Sequence, residues 1–339
     1  MSKGRKLGKP TIADVAEKVG VSSITVSRAI SSPSKVSKKL QKLIQHAIKE
    51  INYVPDLNAQ ALASGRTNII GVIIPSLSNN IFSDVLKGIY ELAEQKQYRI
   101  IIGNTRYSSN EETRLIKLFM NQGVSGLIIT GIDQQKTVHD LLKNVDYPIV
   151  QIMEYTDNPI DMLVGFDHFA GMYELITHIL DQGYKKIASI TARLDPRVMR
   201  RMSAYKQKLI EHQIYDPKLQ ACSKAPSSVS LGKQMALELL LKNPDIDAIV
   251  CCGDDLALGC LSACTELGLN VPEQIGISGF NDLEFMQAMT PPLTSVQTFR
   301  EEIGYTAIDM ILKRINKEEI PQKAIDIGYK LQKRKSTIN

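Results

Sequence analysis

The chain has 339 residues, too many for one ordinary domain and suited to two or three, and 43% of them are hydrophobic, enough for real cores. No apolar run reaches the roughly 18–20 residues a membrane span needs, so no membrane-spanning helix is expected. The net charge of +5 hides an asymmetry: residues 1–66 hold 12 Lys and Arg against 4 Asp and Glu, and the remainder holds 29 against 32. Positive charge gathered on about a fifth of the chain is what a phosphate-contacting module needs.

The first ten residues, MSKGRKLGKP, are basic with no apolar stretch behind them, so a secretory leader is not expected. Ile12, Val15, Ala16 and Val19 then follow the i, i+3, i+4, i+7 rule of an amphipathic helix. Thr11 stands at its N-cap, with Asp14 three residues on. Gly20 permits a tight turn, and Ser22 or Ser23 caps a second helix running to about Ile30. Val26, Ala29 and Ile30 face inward on it. Ser23, Ile24, Thr25, Ser27 and Arg28 stay on the outer side, where such a helix can lie in a major groove. Hydroxyls and a guanidinium suit base edges there, and Ile24 suits a thymine methyl. A third helix, Lys38 to Ile51, would pack Leu40, Leu43, Ile44, Ala47 and Ile48 on the first two.

After Tyr53-Val54-Pro55, DLNAQALASGRTN has helix formers but little to bury, so alone it is marginal and a candidate hinge. From Ile69 short β-rich runs alternate with helical patterns. Strands are expected at Ile69–Ile74, Arg99–Gly103, Gly126–Thr130, Ile149–Met153, Ile187–Thr191, Ala248–Cys252 and Ile275–Ser278. Helices are expected at Phe82–Lys96, Thr113–Gln122, Phe169–Gln182, Met199–His212, Leu231–Leu241 and Leu256–Leu267. This alternation implies α/β architecture with doubly wound parallel sheets, and the run is long enough for two lobes. Ligands bind such sheets outside the carboxyl ends of the strands. Those ends fall at Pro75-Ser76, Asn104, Gly131, Met153-Glu154, Ala192–Asp195, Gly253-Asp254 and Phe280-Asn281.

Arg193, Arg197, Arg200 and Arg201 crowd the segment ARLDPRVMRRMSAY. Arginines facing a cleft favour a carboxylate or phosphate, because the guanidinium fork offers paired donors. Catalytic signatures are missing: there is no G-x-S-x-G, Walker A or G-x-G-x-x-G, so an enzyme and a cofactor are not expected. Asp254-Asp255 reads as a helix cap, and Cys260 with Cys264 as core packing on one helix face. The five cysteines show no disulfide framework, which fits a reduced, cytoplasmic protein. Of the five histidines, His168 alone stands near a lobe crossover.

The segments TIADVAEKVGVSSITVSRAI, EINYVP and NAQALASGRTNIIGVIIPSLSNNIF together resemble the LacI/GalR family of bacterial repressors, and the likeness spans essentially the whole chain. It implies a helix-turn-helix DNA-binding domain over 1–54, a hinge helix and linker over 55–67, and an effector-binding and dimerisation core over 68–339. The core would have a periplasmic-binding-protein-like fold, with one lobe near 68–165 and 296–324 and the other near 166–295 and 325–339. By the resemblance, DNA contacts fall on Thr11, Ile12, Ser22, Ser23, Ile24, Thr25, Ser27 and Arg28. Asn58, Ala59 and Leu62 of the hinge join them, with Leu62 as a minor-groove wedge. Effector contacts fall on Phe82, Asn104, Glu154, Arg201, Arg197, Gly253 and Asn281.

Two positions depart from the sugar-binding pattern: Asn281 stands where many members have aspartate, and Gly253 where many have asparagine. A carboxylate at 281 would repel an anion in a partly dry cleft, and neutral Asn281 would not. With the arginines, and with VGFDHFAGM and TARLDPRV, the chain is similar to the gluconate-repressor branch. The implied protein is a homodimeric repressor that binds double-stranded operator DNA and is released by a sugar acid such as gluconate. The other readings are a neutral-sugar effector and a ligand that acts as corepressor.

Overall fold

The computed structural model describes residues 10–31, 33–54 and 67–338. Its contacts divide the chain into two units, Met1–Thr67 and Asn68–Asn339. Asn58, Ala59 and Leu62 of the expected hinge lie outside the described residues.

The first unit holds α1 (Ile12–Val19), α2 (Ser23–Ser31) and α3 (Lys38–Glu50). Thr11 and Asp14 form a reciprocal cap on α1: the Asp14 N–H donates to the Thr11 hydroxyl, and the Thr11 N–H donates to the Asp14 carboxylate at 2.8 Å. Gly20 ends α1 with φ +73°, a left-handed turn that a side chain would strain. Val15, Ala16, Val26, Ile44, Ala47 and Tyr53 make a small core, with Leu40 and Ile48 packed against it. Leu43 does not join them; it is 51% exposed, because it points one position off the inward stripe of α3.

Among the described residues the second unit is built on twelve strands. In chain order they are β1 (Ile69–Ile74), β2 (Arg99–Asn104), β3 (Gly126–Thr130), β4 (Ile149–Ile152), β5 (Met162–Gly165), β6 (Ile187–Ala192), β7 (Gln220–Ser223), β8 (Ala248–Cys251), β9 (Gly276–Asn281), β10 (Thr294–Thr298), β11 (Ala324–Asp326) and β12 (Tyr329–Gln332). They form two six-stranded sheets, ordered β11-β5-β4-β3-β1-β2 and β12-β10-β9-β8-β6-β7. All pairings are parallel except β10 with β12. Strand order reverses between β1 and β3 in one sheet and between β6 and β8 in the other.

Around them lie α4 (Asn80–Gln95), α5 (Ser109–Asn121), α6 (Lys136–Leu142), α7 (His168–Asp181), α8 (Pro196–Glu211), α9 (Val229–Lys242), α10 (Asp254–Leu267), α11 (Phe285–Ala288) and α12 (Arg300–Ile315). Several begin one to three residues before their first apolar residue, because polar caps start them. Asp167 accepts from the Phe169 and Ala170 N–H groups at 2.8 and 3.0 Å, and Asp195 from Arg197 and Val198 at 3.1 and 3.3 Å.

The chain passes between sheets after Gly165, after Thr298 and after Asp326. The boundary expected near 295 falls inside β10, whose pairing with β9 holds the strand in the second lobe through Gln297. β5, β7, β10, β11, β12, α6, α11 and α12 were not among the expected elements. α12 packs along α4, where an added Cβ at Gly88 would collide with the Glu301 carbonyl and one at Gly304 with that of Val85.

Candidate nucleic-acid interface and ligand cleft

In the first unit Ser22 is the residue that caps α2. Its hydroxyl accepts the Thr25 N–H at 3.2 Å and shares a hydrogen bond with the Thr25 hydroxyl at 2.9 Å. Val26 is fully buried, which turns Ile24, 69% exposed, and Arg28 to solvent. Ser23, Thr25 and Ser27 are half-buried along the same helix. Thr11 spends its hydroxyl on the cap of α1, and Ile12 packs partly on the small core. The face left for a partner is therefore α2, with one apolar residue among hydroxyls and a cation. Arg28→Ala is expected to weaken operator binding by roughly 1–3 kcal/mol. A salt titration separates the causes: a slope lowered by about one means a phosphate contact, and an unchanged slope with relaxed sequence preference means a base contact. Unchanged affinity would remove Arg28 from the interface.

In the second unit a cleft of about 250 Å³ opens between the lobes. Ser76, Asn79 and Phe82 line it from the first lobe, and Arg193, Arg197, Arg201, Gly253, Asp254 and Asn281 from the second. Arg201 is 5% exposed. Its Nε donates to His168 Nδ1 at 3.1 Å, its Nη1 to the Cys252 carbonyl at 2.5 Å, and its plane lies 4.0 Å over the Phe280 ring. Among the described residues no carboxylate pairs with it. Burial pulls its pKa down, which means that the charged form lacks the solvation it had in water.

His168 fixes this geometry. Its Nε2 lies 2.8 Å from the Met153 carbonyl, so Nε2 carries the proton and Nδ1 is free to accept from Arg201. Burial and the adjacent guanidinium hold His168 neutral, well below the usual imidazole range. Met153 directly follows β4 in the first lobe, and Arg201 lies on α8 in the second, so the histidine joins the two lobes behind the cleft.

Asn281 is 2% exposed, and its Oδ1 has no hydrogen-bond partner. Its backbone has φ +113°, a strained region for a side chain, held by a hydrogen bond from Arg300 Nη1 to its carbonyl. Arg300 is itself fixed by Asp84 at 2.8 Å. Of the expected Asp254-Asp255 cap, Asp255 accepts the Leu256 N–H at 3.0 Å in the first turn, but Asp254 turns away from the helix. Gly253 occupies the N-cap position, and the Asp254 carboxylate accepts the Leu283 N–H and the Ser295 hydroxyl, both at 2.7 Å. It ties down the 281–283 turn, and burial raises its pKa to about 7.

A second cavity, of about 300 Å³, lies at the carboxyl ends of β1 and β3 and shares Tyr107, Arg193, Asp195 and Arg197 with the first. Glu154, two residues past β4, lines this cavity rather than the cleft. Arg200 on α8 reaches across to it, with Nη1 2.7 Å from Oε1, while its two terminal nitrogens grip Asp133 at 3.0 and 2.8 Å. Arg193 stacks 4.1 Å over Tyr107 of the opposite lobe. Asn104 lines neither cavity; its Oδ1 accepts the Arg106 N–H at 3.2 Å and shapes the turn after β2.

Burial raises the Glu154 pKa from 4.5 to about 7, with Arg200 and Arg197 opposing it. Since the folded value exceeds the unfolded one, the folded chain holds an extra proton between about pH 4.5 and 7. Stability should therefore fall as pH rises through that window, by at most about 3 kcal/mol from this group. Thermal melts from pH 5 to 8 should show a falling midpoint, flattened in Glu154→Gln. An identical slope in the variant would place the titration elsewhere, Asp254 first.

The structure thus gathers Phe82, Arg197, Arg201, Gly253 and Asn281 at one cleft, and moves Glu154 to its neighbour. Tyr107 lines both cavities and was not singled out from the sequence, whereas Arg193 and His168, noted there without an assigned effector role, line the cleft as well. Tyr107 and Arg193 lie just past strand ends, and both have positive φ, 60° and 69°.

Residues 11–56 match the sequence model for bacterial regulatory proteins of the lacI family, and residues 176–337 that for a periplasmic binding protein-like domain. The HTH-type transcriptional regulator GntR of Pseudomonas aeruginosa is 34% identical over 98% of this chain and 97% of its own. The chain belongs to the LacI family. A LacI-family transcriptional regulator from Silicibacter pomeroyi is similar in structure, with a TM-score of 0.91, 31% identity and coverage of 97% of this chain and 100% of that one. A lac repressor dimer bound to operator superimposes with a TM-score of 0.84 at 27% identity over 98% and 100% of the two chains. This LacI-family member is a DNA-binding transcriptional regulator, not an enzyme, and such regulators act in the cytoplasm.

Proposed function

We propose that the protein is a homodimeric repressor of a sugar-acid utilisation operon, released from its operator when a gluconate-like anion enters the interlobe cleft. One observation carries the reading: Arg201 is a buried guanidinium with no carboxylate partner, opening on a cleft where Asn281 Oδ1 also lacks a hydrogen bond. A charged group buried without a counter-ion is costly, and an anionic ligand relieves the cost. Asn281 supplies an acceptor for a hydroxyl beside it. Arg197, tied to Asp195 at 3.3 Å, adds positive potential.

The similarity to GntR, and to a repressor dimer seated on operator, supports DNA binding by α2 in a two-fold complex. A dimer places two reading helices on a pseudopalindrome. An effector changes occupancy only through its differential affinity for the two lobe arrangements. A gel-shift titration with and without gluconate tests the whole reading. Release by gluconate and not by glucose is expected. Equal release by a neutral sugar would overturn the charge argument, and tighter binding with gluconate would make the ligand a corepressor.

A further inference from the structure

The turn Asn281-Asp282-Leu283 contributes to one wall of the cleft, and its backbone is strained, with φ +113° at Asn281 and +54° at Asp282. Such strain persists only where the surroundings hold it. Among the described residues four partners do so. The Asp254 carboxylate accepts the Leu283 N–H at 2.7 Å, and the Ser295 hydroxyl accepts the Asp282 N–H at 3.0 Å. Arg334 grips the Asp282 carboxylate with two nitrogens at 2.6 and 3.0 Å. These three belong to the second lobe. The fourth is Arg300, whose Nη1 donates to the Asn281 carbonyl and to the Thr298 hydroxyl, the latter at 3.0 Å.

Arg300 belongs to the other lobe. It opens α12, and α12 lies along α4 with the two backbones in close approach, since an added Cβ at Gly88 or Gly304 would meet a carbonyl of the facing helix. Lys87 and Glu301 bridge the same seam at 2.7 Å. Helices packed this closely move as one body. Asp84, one turn before Gly88 on α4, holds the Arg300 guanidinium at Nε and Nη2, both at 2.8 Å. Phe82, which lines the cleft from the first lobe, stands two residues before Asp84 on the same helix.

Asp84 is half-exposed, so as an ion pair it contributes little to stability. Its consequence is orientation. The guanidinium is a rigid planar fork, and fixing one edge of it on α4 aims the remaining nitrogen at the second lobe. When the lobes change angle, Nη1 follows α4 and α12, and the Asn281 carbonyl follows Nη1. A rotated Asn281 peptide redirects its side chain, whose Oδ1 has no partner.

We infer that Arg300, oriented by Asp84, is a positioning residue that couples the angle between the lobes to the Asn281 turn, and so sets how far an effector in the cleft changes operator affinity. Neither residue lines the cleft, so both act through Asn281. Coupling is reciprocal: a ligand that fixes Asn281 restrains the first lobe through the same guanidinium. The effect on operator affinity rests on the sugar-acid reading; the tie between Asp84 and the turn does not.

Hydrogen exchange and gel shifts on the full chain test this. Asp84→Asn keeps the residue's size and removes its charge at a site on the lobe opposite the turn. Without ligand, the amides of residues 281–283 should exchange about fivefold faster or more in this variant, as expected when a charge-assisted contact that aims its neighbour is lost. The factor by which saturating gluconate weakens operator binding should shrink by about fivefold. At saturation, lost ligand affinity cannot imitate that change. Asp84→Glu should recover part of both effects. Faster exchange confined to α4 and α12, or a release factor equal to that of wild type, overturns the coupling. If Asp84→Asn fails to fold, Arg300→Lys decides by the same two readings, because one ammonium cannot hold Asp84 and the Asn281 carbonyl in the geometry of the fork. If gluconate leaves wild-type operator binding unchanged, the sugar-acid reading falls instead, and exchange at 281–283 decides the tie alone.

Discussion

Arg201→Ala is expected to yield a repressor that binds its operator normally and no longer leaves it when gluconate is added. The guanidinium belongs to the second unit, so operator affinity in the absence of ligand should be unchanged. The ligand loses a charge-assisted hydrogen bond, worth roughly 1.5–3 kcal/mol, or about 10- to 150-fold in affinity. Some of the effect is structural, because His168 Nδ1, the Cys252 carbonyl and the face of Phe280 lose their partner too. Arg201→Lys separates the two contributions. It keeps the charge but offers a point donor in place of the planar fork, so binding should fall while the anion preference persists. Gel shifts at increasing gluconate, beside melts of each variant, read this out. Normal release by a folded Arg201→Ala protein would remove the arginine from the effector site.

Deleting residues 1–66 is expected to abolish operator binding and to leave gluconate binding intact. The deleted segment contains α1 to α3 and carries the excess of positive charge. The remainder holds both sheets and both cavities, with its own cores. Non-specific affinity should fall with specific affinity, since phosphate contacts supply most of the former. Fluorescence anisotropy on operator and random duplex, with calorimetry on the same preparation, would show the split. A truncated chain that still held operator with similar affinity would place the reader outside α2.

The sequence by itself determined the parts that rest on local physics. The 3.6-residue period of Ile12, Val15, Ala16 and Val19, the cap at Thr11 and the turn at Gly20 are written in neighbouring residues, and the first unit follows them. The alternation from Ile69 onward fixed the α/β class for the same reason. α12 was equally local, with Ile303, Ala307, Ile308 and Ile311 all buried on one face, and attention to that period would have found it. Short edge strands such as β7, β11 and β12 had no such signal, since three or four residues pair only because a distant neighbour is present.

What only the tertiary structure decided is which strand ends meet. Strand-end logic named Glu154 and Asn104 as readily as Asn281, yet Glu154 lines the second cavity, and Asn104 turns back on Arg106. Asp254 looked like a cap from its place at a helix start. Its carboxylate instead satisfies Leu283 and Ser295, which are distant in sequence and adjacent only once β9 and β10 pair. Four clustered arginines were visible, and their different fates were not: Arg200 spans the lobes to Asp133, Arg193 stacks on Tyr107, Arg197 pairs with Asp195, and Arg201 is left without a carboxylate. That last outcome depends on His168 and Cys252, residues 33 and 51 positions away, closing around one guanidinium. Side-chain chemistry is local, but the solvation and counter-charge that set its function belong to whatever the fold brings beside it.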